Sequence, residues 1–276
     1  MSKIKAIISG ADGTLINNLY LIRHGQYEAA VEYMVERGIG RNDIPGYEDY
    51  ESFINKSVGG STRDTFEKTL RLLFGERHAE HLKAIDFDEL DRRLEPIQDR
   101  LAPLYTHPFH GLTEMLTWMG KEHLALGIFT SASRYQIVRN LGVALPALGY
   151  GNLSANVRAS EDEKTQALTE RTKAVYGISK FSIVTSDDVK KTKPDPEGLV
   201  KALKELGVKP DEAIMVGDLD ADIIAGVKAG VASVGIAHGF GTPADLQAAG
   251  AVRVVDDLNE LVAAVEAHNS GERKLF

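Results

Sequence analysis

Six short apolar runs recur along the chain, each closed by a turn and followed by a stretch of helical periodicity. They are Ile4–Ile8, Leu124–Phe129, Phe181–Thr185, Ala213–Val216, Ala232–Ile236 and Val252–Val255. Runs this short and this uninterrupted by polar residues predict buried strands rather than helices. Strands that alternate with helices predict an α/β fold, a parallel sheet covered on both faces. Functional side chains then belong at the carboxyl ends of those strands. The first run illustrates the pattern. Ile4, Ala6, Ile7 and Ile8 make the strand, Gly13 closes it in a tight turn, and Asp12 and Thr14 stand where it surfaces.

One region breaks the alternation. From Asn17 to Pro108 the periodicity is helical and no strand is convincing: Tyr20 to Gly38 is amphipathic, and Phe87 to Leu104 continues in the same manner. Ser61-x-x-Asp64 has the form of an N-cap before "TFEKTLRLLFG". A helical block here reads as an inserted second domain, residues 16–108, leaving a core of residues 1–15 and 109–276. It departs from the loop that holds Asp12, which suits a lid over that loop. A smaller irregularity lies between Leu141 and Ile178, where Ser160-x-x-Glu163 predicts a capping box and a helix to about Tyr176. The tail "AHNSGERKLF" is polar and expected to fray.

Length and composition narrow the class. The 276 residues suffice for one large domain or two ordinary ones, and 43% hydrophobic with 26% charged residues is typical of a soluble globular protein. A formal charge of −8 argues against a nucleic-acid partner, because binding a phosphate backbone needs basic clusters. The absence of cysteine removes disulfides, thiolate metal sites and cysteine nucleophiles. The first apolar run is too short for a secretory leader, and the longest apolar region, Ile223 to Gly241, is interrupted by Lys228 and His238 and so is no membrane span. The expectation is a cytoplasmic, enzyme-like protein, with monomer and homodimer both open.

Four segments just after predicted strands carry the chemistry. They are Gly10-Ala11-Asp12-Gly13-Thr14; "FTSAS" with Thr130 and Ser131; "DDVKKTKPDP" with Lys193 before Pro194; and "MVGDLDADIIAG" with Asp218 and Asp222 at a helix start. These residue types suit phosphoryl transfer. Hydroxyls, amides at a helix start and a lysine are donors for a phosphate. Carboxylates suit magnesium, which takes one or two of them and completes its shell with substrate oxygens and water. Asp12 is placed to serve as a general acid for a leaving alkoxide if neighbouring carboxylates raise its pKa.

In this order the segments resemble the haloacid dehalogenase-like hydrolase superfamily, whose pattern is D-x-D-G-T, a Ser/Thr after the second strand, a Lys before a Pro, and G-D-x-x-x-D. The resemblance covers the whole chain and is closest to the phosphoglycolate phosphatase-like branch, through "DDVKKTKPDPEGLVKAL", "VGDLDADIIAGVKAGV" and "HGFGTPADLQAAGA". It implies a Rossmann-like core with an inserted helical cap. It further implies a Mg2+-dependent phosphatase acting on a small phosphorylated metabolite through an aspartyl phosphate. Carried over residue by residue, Thr130 would bind the phosphoryl group, Lys193 would neutralise it, Asp218 and the Asp12 carbonyl would bind magnesium, and Asp222 would support that metal site. The first aspartate of D-x-D is the family's nucleophile, and here that position is Gly10. The cap also looks longer than in that branch, and the segment between Leu141 and Ile178 looks like an added helix.

Each signal has a plainer alternative. Asp218-x-Asp220-x-Asp222 has calcium-loop spacing, but Ile223 stands where glycine is needed and Ala229 where glutamate is needed. Gly239-x-Gly241-x-x-Ala244 matches a dinucleotide fingerprint, yet too little chain follows to complete such a domain. His107 and His110 flank Pro108 and suit a loop or hinge better than a metal site. Lys193 lies in the basic run "KKTK", as a surface lysine would. Arg63, beside Gly59-Gly60, suits either a substrate carboxylate or plain solvent exposure. Neither Ser9, turned away by strand alternation, nor Asp12 replaces the missing nucleophile. The sequence therefore supports two readings, a phosphatase disabled at Gly10 and a non-catalytic relative that binds a phosphorylated ligand or a protein partner. A long-abandoned site would have lost more of its motifs, which favours the first.

Overall fold

The computed structural model describes residues 2–57, 62–74, 85–149, 159–272 and 274–275. Ser61, Gly59 and Gly60, invoked above, lie outside them. The chain forms two compact units, Met1–Asn17 with His107–Phe276, and Asn18–Thr106.

All six anticipated strands of the first unit lie in one sheet: β1 (Ala6–Ser9), β4 (Ala125–Phe129), β5 (Phe181–Val184), β6 (Ala213–Gly217), β7 (Ala232–Ile236) and β8 (Arg253–Val255). Their order is β5-β4-β1-β6-β7-β8, and every pairing is parallel. The chain runs from β1 outward through β4 and β5, then returns to the other side of β1. The strand order thus reverses between β1 and β6, where an open α/β sheet leaves a crevice at its carboxyl ends.

Period-2 alternation divides the core between two faces. Ile7, Ile128, Ile214 and Val216 pack on one face with residues of α5 (Leu112–Lys121), α6 (Arg134–Ala144) and α11 (Leu258–Ser270). Ala6, Ile8, Phe129 and Met215 pack on the other with Leu199, Leu203 and Leu206 of α8 (Glu197–Leu206) and Ala225 of α9 (Asp220–Lys228). The helix in the irregular segment, α7 (Glu161–Tyr176), starts at the capping box expected of Ser160 and Glu163. It sits against α5 at Gly120, where an added Cβ would lie 1.8 Å from the Tyr176 carbonyl oxygen.

Two expectations need correction. Among its described residues, the carboxyl-terminal tail is tied down rather than frayed. The α11 helix continues to Ser270, and buried His268 joins both chain ends, its Nδ1 accepting the Leu275 N–H (3.1 Å) and its Nε2 donating to the Ser2 carbonyl (3.2 Å). The core also does not close at residue 15 and reopen at 109. Antiparallel pairing of β2 (Ile16–Asn17) with β3 (His107–Pro108) keeps these four residues in the first unit, with His107 opposite Asn17. Runs of two residues carry no periodicity, so this ribbon left no trace in the hydrophobic pattern.

The second unit is helical: α1 (Leu19–Glu36), α2 (Tyr47–Ser57), α3 (Thr62–Phe74) and α4 (Phe87–Tyr105). Gly25 of α1 admits Gln98 of α4, whose Cγ lies 3.1 Å from where a Cβ would stand. The Tyr33 ring carries the Arg37 guanidinium 3.5 Å above it, and its hydroxyl accepts the Asp86 N–H at 2.8 Å. Arg93 bridges Glu36 and Glu89, both at 2.6 Å. Among the described residues no helix is long and apolar enough to cross a membrane.

Candidate active site

The loop after β1 sets the site. The Gly10 N–H continues the ladder to the Val216 carbonyl at 2.9 Å, which holds Gly10 at the sheet's carboxyl edge between β4 and β6. The chain then turns back on itself, with the Ala11 carbonyl accepting the N–H groups of Thr14, Leu15 and Ile16. Gly13 has φ +77, and any side chain there would collide with the Asp218 carboxylate. The fully buried Ser9 hydroxyl donates to the Gly10 carbonyl at 2.8 Å, so it is committed locally.

Asp218 and Asp222 follow β6 and are almost wholly buried. Asp218 Oδ1 accepts the Thr14 hydroxyl at 2.6 Å and Oδ2 accepts the Phe240 N–H at 2.8 Å. Two glycines make room for that grip. A Cβ on Gly239 would stand 2.1 Å from Asp218 Oδ2, and one on Gly241 would stand 2.3 Å from the Asp218 carbonyl oxygen. The glycine pattern with dinucleotide spacing therefore serves to wrap Asp218. Burial, and next the charge of Asp222, push the Asp218 carboxyl up to about 7 against the opposing hydrogen bonds.

Asp222 Oδ1 accepts from Lys193 Nζ at 2.6 Å, an ion pair in which both side chains are buried, and Asp222 Oδ2 accepts the Leu219 N–H at 3.2 Å. Lys193 is not the surface lysine that "KKTK" suggests. Its ammonium lies 5.2 Å from the Phe129 ring centroid, and Phe129 immediately precedes Thr130. Thr130 extends β4, its N–H bonded to the Val184 carbonyl at 3.0 Å, while its hydroxyl accepts the Ala132 N–H at 3.1 Å. Ser131 beside it is half-buried.

Gly10 faces this cluster. A Cβ added there would meet Thr14 Oγ1 at 2.8 Å and Asp222 Oδ1 at 3.5 Å, and its φ lies outside the left-handed region. The backbone thus accepts a side chain at this position, and the space beside it is held by the Thr14 hydroxyl. The structure brings Gly10, Thr14, Asp218, Asp222 and Lys193 together, with Thr130 next to the ring that Lys193 touches. Asp12 is half-buried, and its Oδ1 accepts from Asn140 Nδ2 at 2.9 Å. Arg63 belongs to the second unit, where its exposed guanidinium pairs with Asp88. His107 and His110 are exposed, whereas His238 donates from Nε2 to the Thr14 carbonyl (2.9 Å) and stacks on Phe109 at 3.7 Å. Burial pushes the His238 imidazole down.

The sequence reading did not single out Asn140 or the Phe240 amide. Asn140 was detectable, because it shares the inward helical spacing of Ile137 and Ala144 and so is a polar residue at a core position. The Phe240 amide carries no side-chain signal.

Oxygen donors such as Asp218 and the Asp12 carbonyl suit magnesium chemically. Among the described residues, however, no group of three or more acidic, histidine or cysteine side chains is placed to hold a metal. Asp218 and the Asp12 carbonyl are the oxygens that would hold a magnesium ion here, and the rest of its shell would have to come from outside the protein's side chains.

Residues 4–230 match the haloacid dehalogenase-like hydrolase family, and the chain belongs to it. Among its relatives, the pyrophosphatase PpaX of Bacillus velezensis is 52% identical over 63 residues, 22% of this chain and 29% of that protein. The PpaX pyrophosphatase of Listeria monocytogenes serotype 4b is 25% identical across 95% of this chain and 97% of its own length. Five of the matches to PpaX proteins are local, this chain spanning only 29% to 42% of their length. Among solved structures, one described as a predicted phosphoglycolate phosphatase from Haemophilus somnus superposes with a TM-score of 0.70, at 16% identity, over 95% of this chain and 98% of that one. That likeness is one of fold.

Proposed function

We propose that this chain binds a small phosphorylated metabolite at the carboxyl edge of its sheet, in the site of a magnesium-dependent phosphomonoester phosphatase that lacks its attacking carboxylate. The observation that carries the reading is the set of buried polar groups gathered around Gly10: Thr14 on Asp218, and Lys193 on Asp222. Burying charge is costly, and a site with no remaining use for these groups has no reason to keep them.

In this reading the Thr130 hydroxyl and neighbouring amides hold the phosphoryl oxygens, and Lys193 neutralises them at short range from a dry position. Ser131 adds a second hydroxyl. Asp12 gives a proton to the leaving oxygen. Asp218 and the Asp12 carbonyl would hold magnesium, which supplies charge compensation for the phosphate. No side chain at position 10 is available to attack phosphorus, and loss of a nucleophile costs on the order of 10⁴ to 10⁶ in turnover. The helical unit would act as a cap that selects the organic part of the substrate. Pyrophosphate, named for the PpaX relatives, is the phosphoanhydride to test beside monoesters.

Calorimetric titration of the protein with inorganic phosphate in the presence of magnesium tests the binding half of the proposal. Saturable binding, weakened at least about tenfold in Lys193→Met, is expected. An absence of phosphate binding would remove the basis for the reading. A non-catalytic binding role has one observation in its favour, since the Thr14 hydroxyl occupies the space next to Gly10.

A further inference from the structure

On the reading just given, we infer that Asn140, held by Arg139, is a positioning residue for Asp12. Asn140 sits in the middle of α6, 3% exposed, and donates from Nδ2 to Asp12 Oδ1 at 2.9 Å. Its own Oδ1 accepts from Arg139 Nε at 3.0 Å, and Arg139 is likewise buried. A guanidinium has donors and no acceptor, so the amide oxygen must face Arg139 and the amide NH2 must face Asp12. The amide cannot turn over without leaving two buried donors opposed. Asn140 is thus a donor of fixed direction, and it fixes one oxygen of the Asp12 carboxyl.

The helix that carries Asn140 also fixes the phosphate side of the site. Its capping box, made by Ser133 and Gln136, begins three residues after Thr130. Asp12, on the loop after β1, and Thr130, after β4, are therefore tied to one rigid element. Proton donation requires the acid to stand within hydrogen-bond reach of the leaving oxygen while the phosphoryl group is held, and small displacements of such groups are costly in rate. Anchoring Asp12 to α6 sets its place relative to Thr130.

Leaving-group dependence separates positioning of an acid from general loosening of the fold. A p-nitrophenolate leaves without a proton, whereas an ethoxide needs one. In a chain carrying Gly10→Asp, Asn140→Ala and the isosteric Asn140→Asp should lower turnover of ethyl phosphate roughly 30-fold more than turnover of p-nitrophenyl phosphate. Equal losses on the two substrates would overturn the inference. The bond itself is read in the unaltered protein from the Asn140 side-chain amide resonances. They should move in Asp12→Ala and stay in Arg63→Ala, and an Asn140 amide indifferent to Asp12→Ala overturns the inference whatever the kinetics show. Should Gly10→Asp turn over neither substrate, the phosphatase reading fails, and the amide resonances still decide whether Asn140 holds Asp12.

Discussion

Replacing Lys193 by methionine keeps all but the terminal atom of the side chain's length and removes its charge, leaving Asp222 as an uncompensated carboxylate that is 2% exposed. Removing one partner of a buried ion pair costs about 3–5 kcal/mol. Asp222 keeps the Leu219 N–H, which places the expected loss near the lower bound, about 3 kcal/mol. Asp222→Asn alone should also destabilise, because it leaves the buried ammonium opposite a neutral amide. The double variant should lie within about 1–2 kcal/mol of the parent, since removing both charges also removes the desolvation cost. Urea unfolding followed by the fluorescence of Trp118, the chain's one tryptophan, reports on the core unit because Trp118 packs against its main cluster. Coupling of about 2 kcal/mol or more between the two sites supports the pair as described. Additive losses, or a Lys193→Met loss below about 1 kcal/mol, would mean that water reaches the pair and that the dry-lysine argument is wrong.

Three further outcomes follow from the same structure. Burial works to raise the Asp188 carboxyl, but Lys201, the Thr185 N–H and hydroxyl, and Arg134 outweigh it and hold the group well below the usual carboxylate range. Its stabilisation is therefore present above the unfolded-state pKa and lost as pH falls through the folded one. Asp188→Asn should cost about 1–2 kcal/mol near neutral pH and progressively less below about pH 4, read from urea midpoints at several pH values. Gly120→Ala should cost on the order of 3 kcal/mol or more, because the clash is with the Tyr176 backbone carbonyl and no side chain can yield; proteolysis should then release the α7 region first. Magnesium alone should bind weakly, with dissociation constants in the millimolar range, and at least about tenfold more tightly with saturating phosphate, checked by calorimetry with and without phosphate.

The parts of the fold that were legible in the sequence are those with periodicity. The runs from Ile4 and from Ala213 needed only shifts of one or two residues to become β1 and β6, because buried parallel strands are apolar on both faces. The capping box at Ser160 was legible because its partners lie three residues apart. Lys193 and Asp222 are separated by 29 residues, and only the resemblance joined them; nothing local distinguishes a lysine in "KKTK" that turns inward from one that does not. The same holds for the tail, where His268 is ordered by contacts with Ser2 and Leu275 rather than by its own neighbours. Asn140 was visible as a polar residue on an apolar helix face, but its partner Asp12 lies 128 positions away. Tertiary pairings of this kind leave no mark at short range.

Whether Gly10 is all that separates this chain from a working phosphatase is tested most directly by magnesium-dependent hydrolysis of p-nitrophenyl phosphate, measured for the unaltered protein and for Gly10→Asp side by side. The backbone at Gly10 tolerates a side chain, and the Thr14 hydroxyl, 2.8 Å from the new Cβ, must give up its bond to Asp218, a loss of about 1 kcal/mol. That cost is small against the gain, and turnover should rise by on the order of 10⁴ or more. Equal and measurable turnover by the two proteins would contradict the account, because phosphorus would then be attacked by a group other than the one missing at position 10, and no turnover by either would contradict it as well, because restoring the carboxylate would not restore a phosphatase.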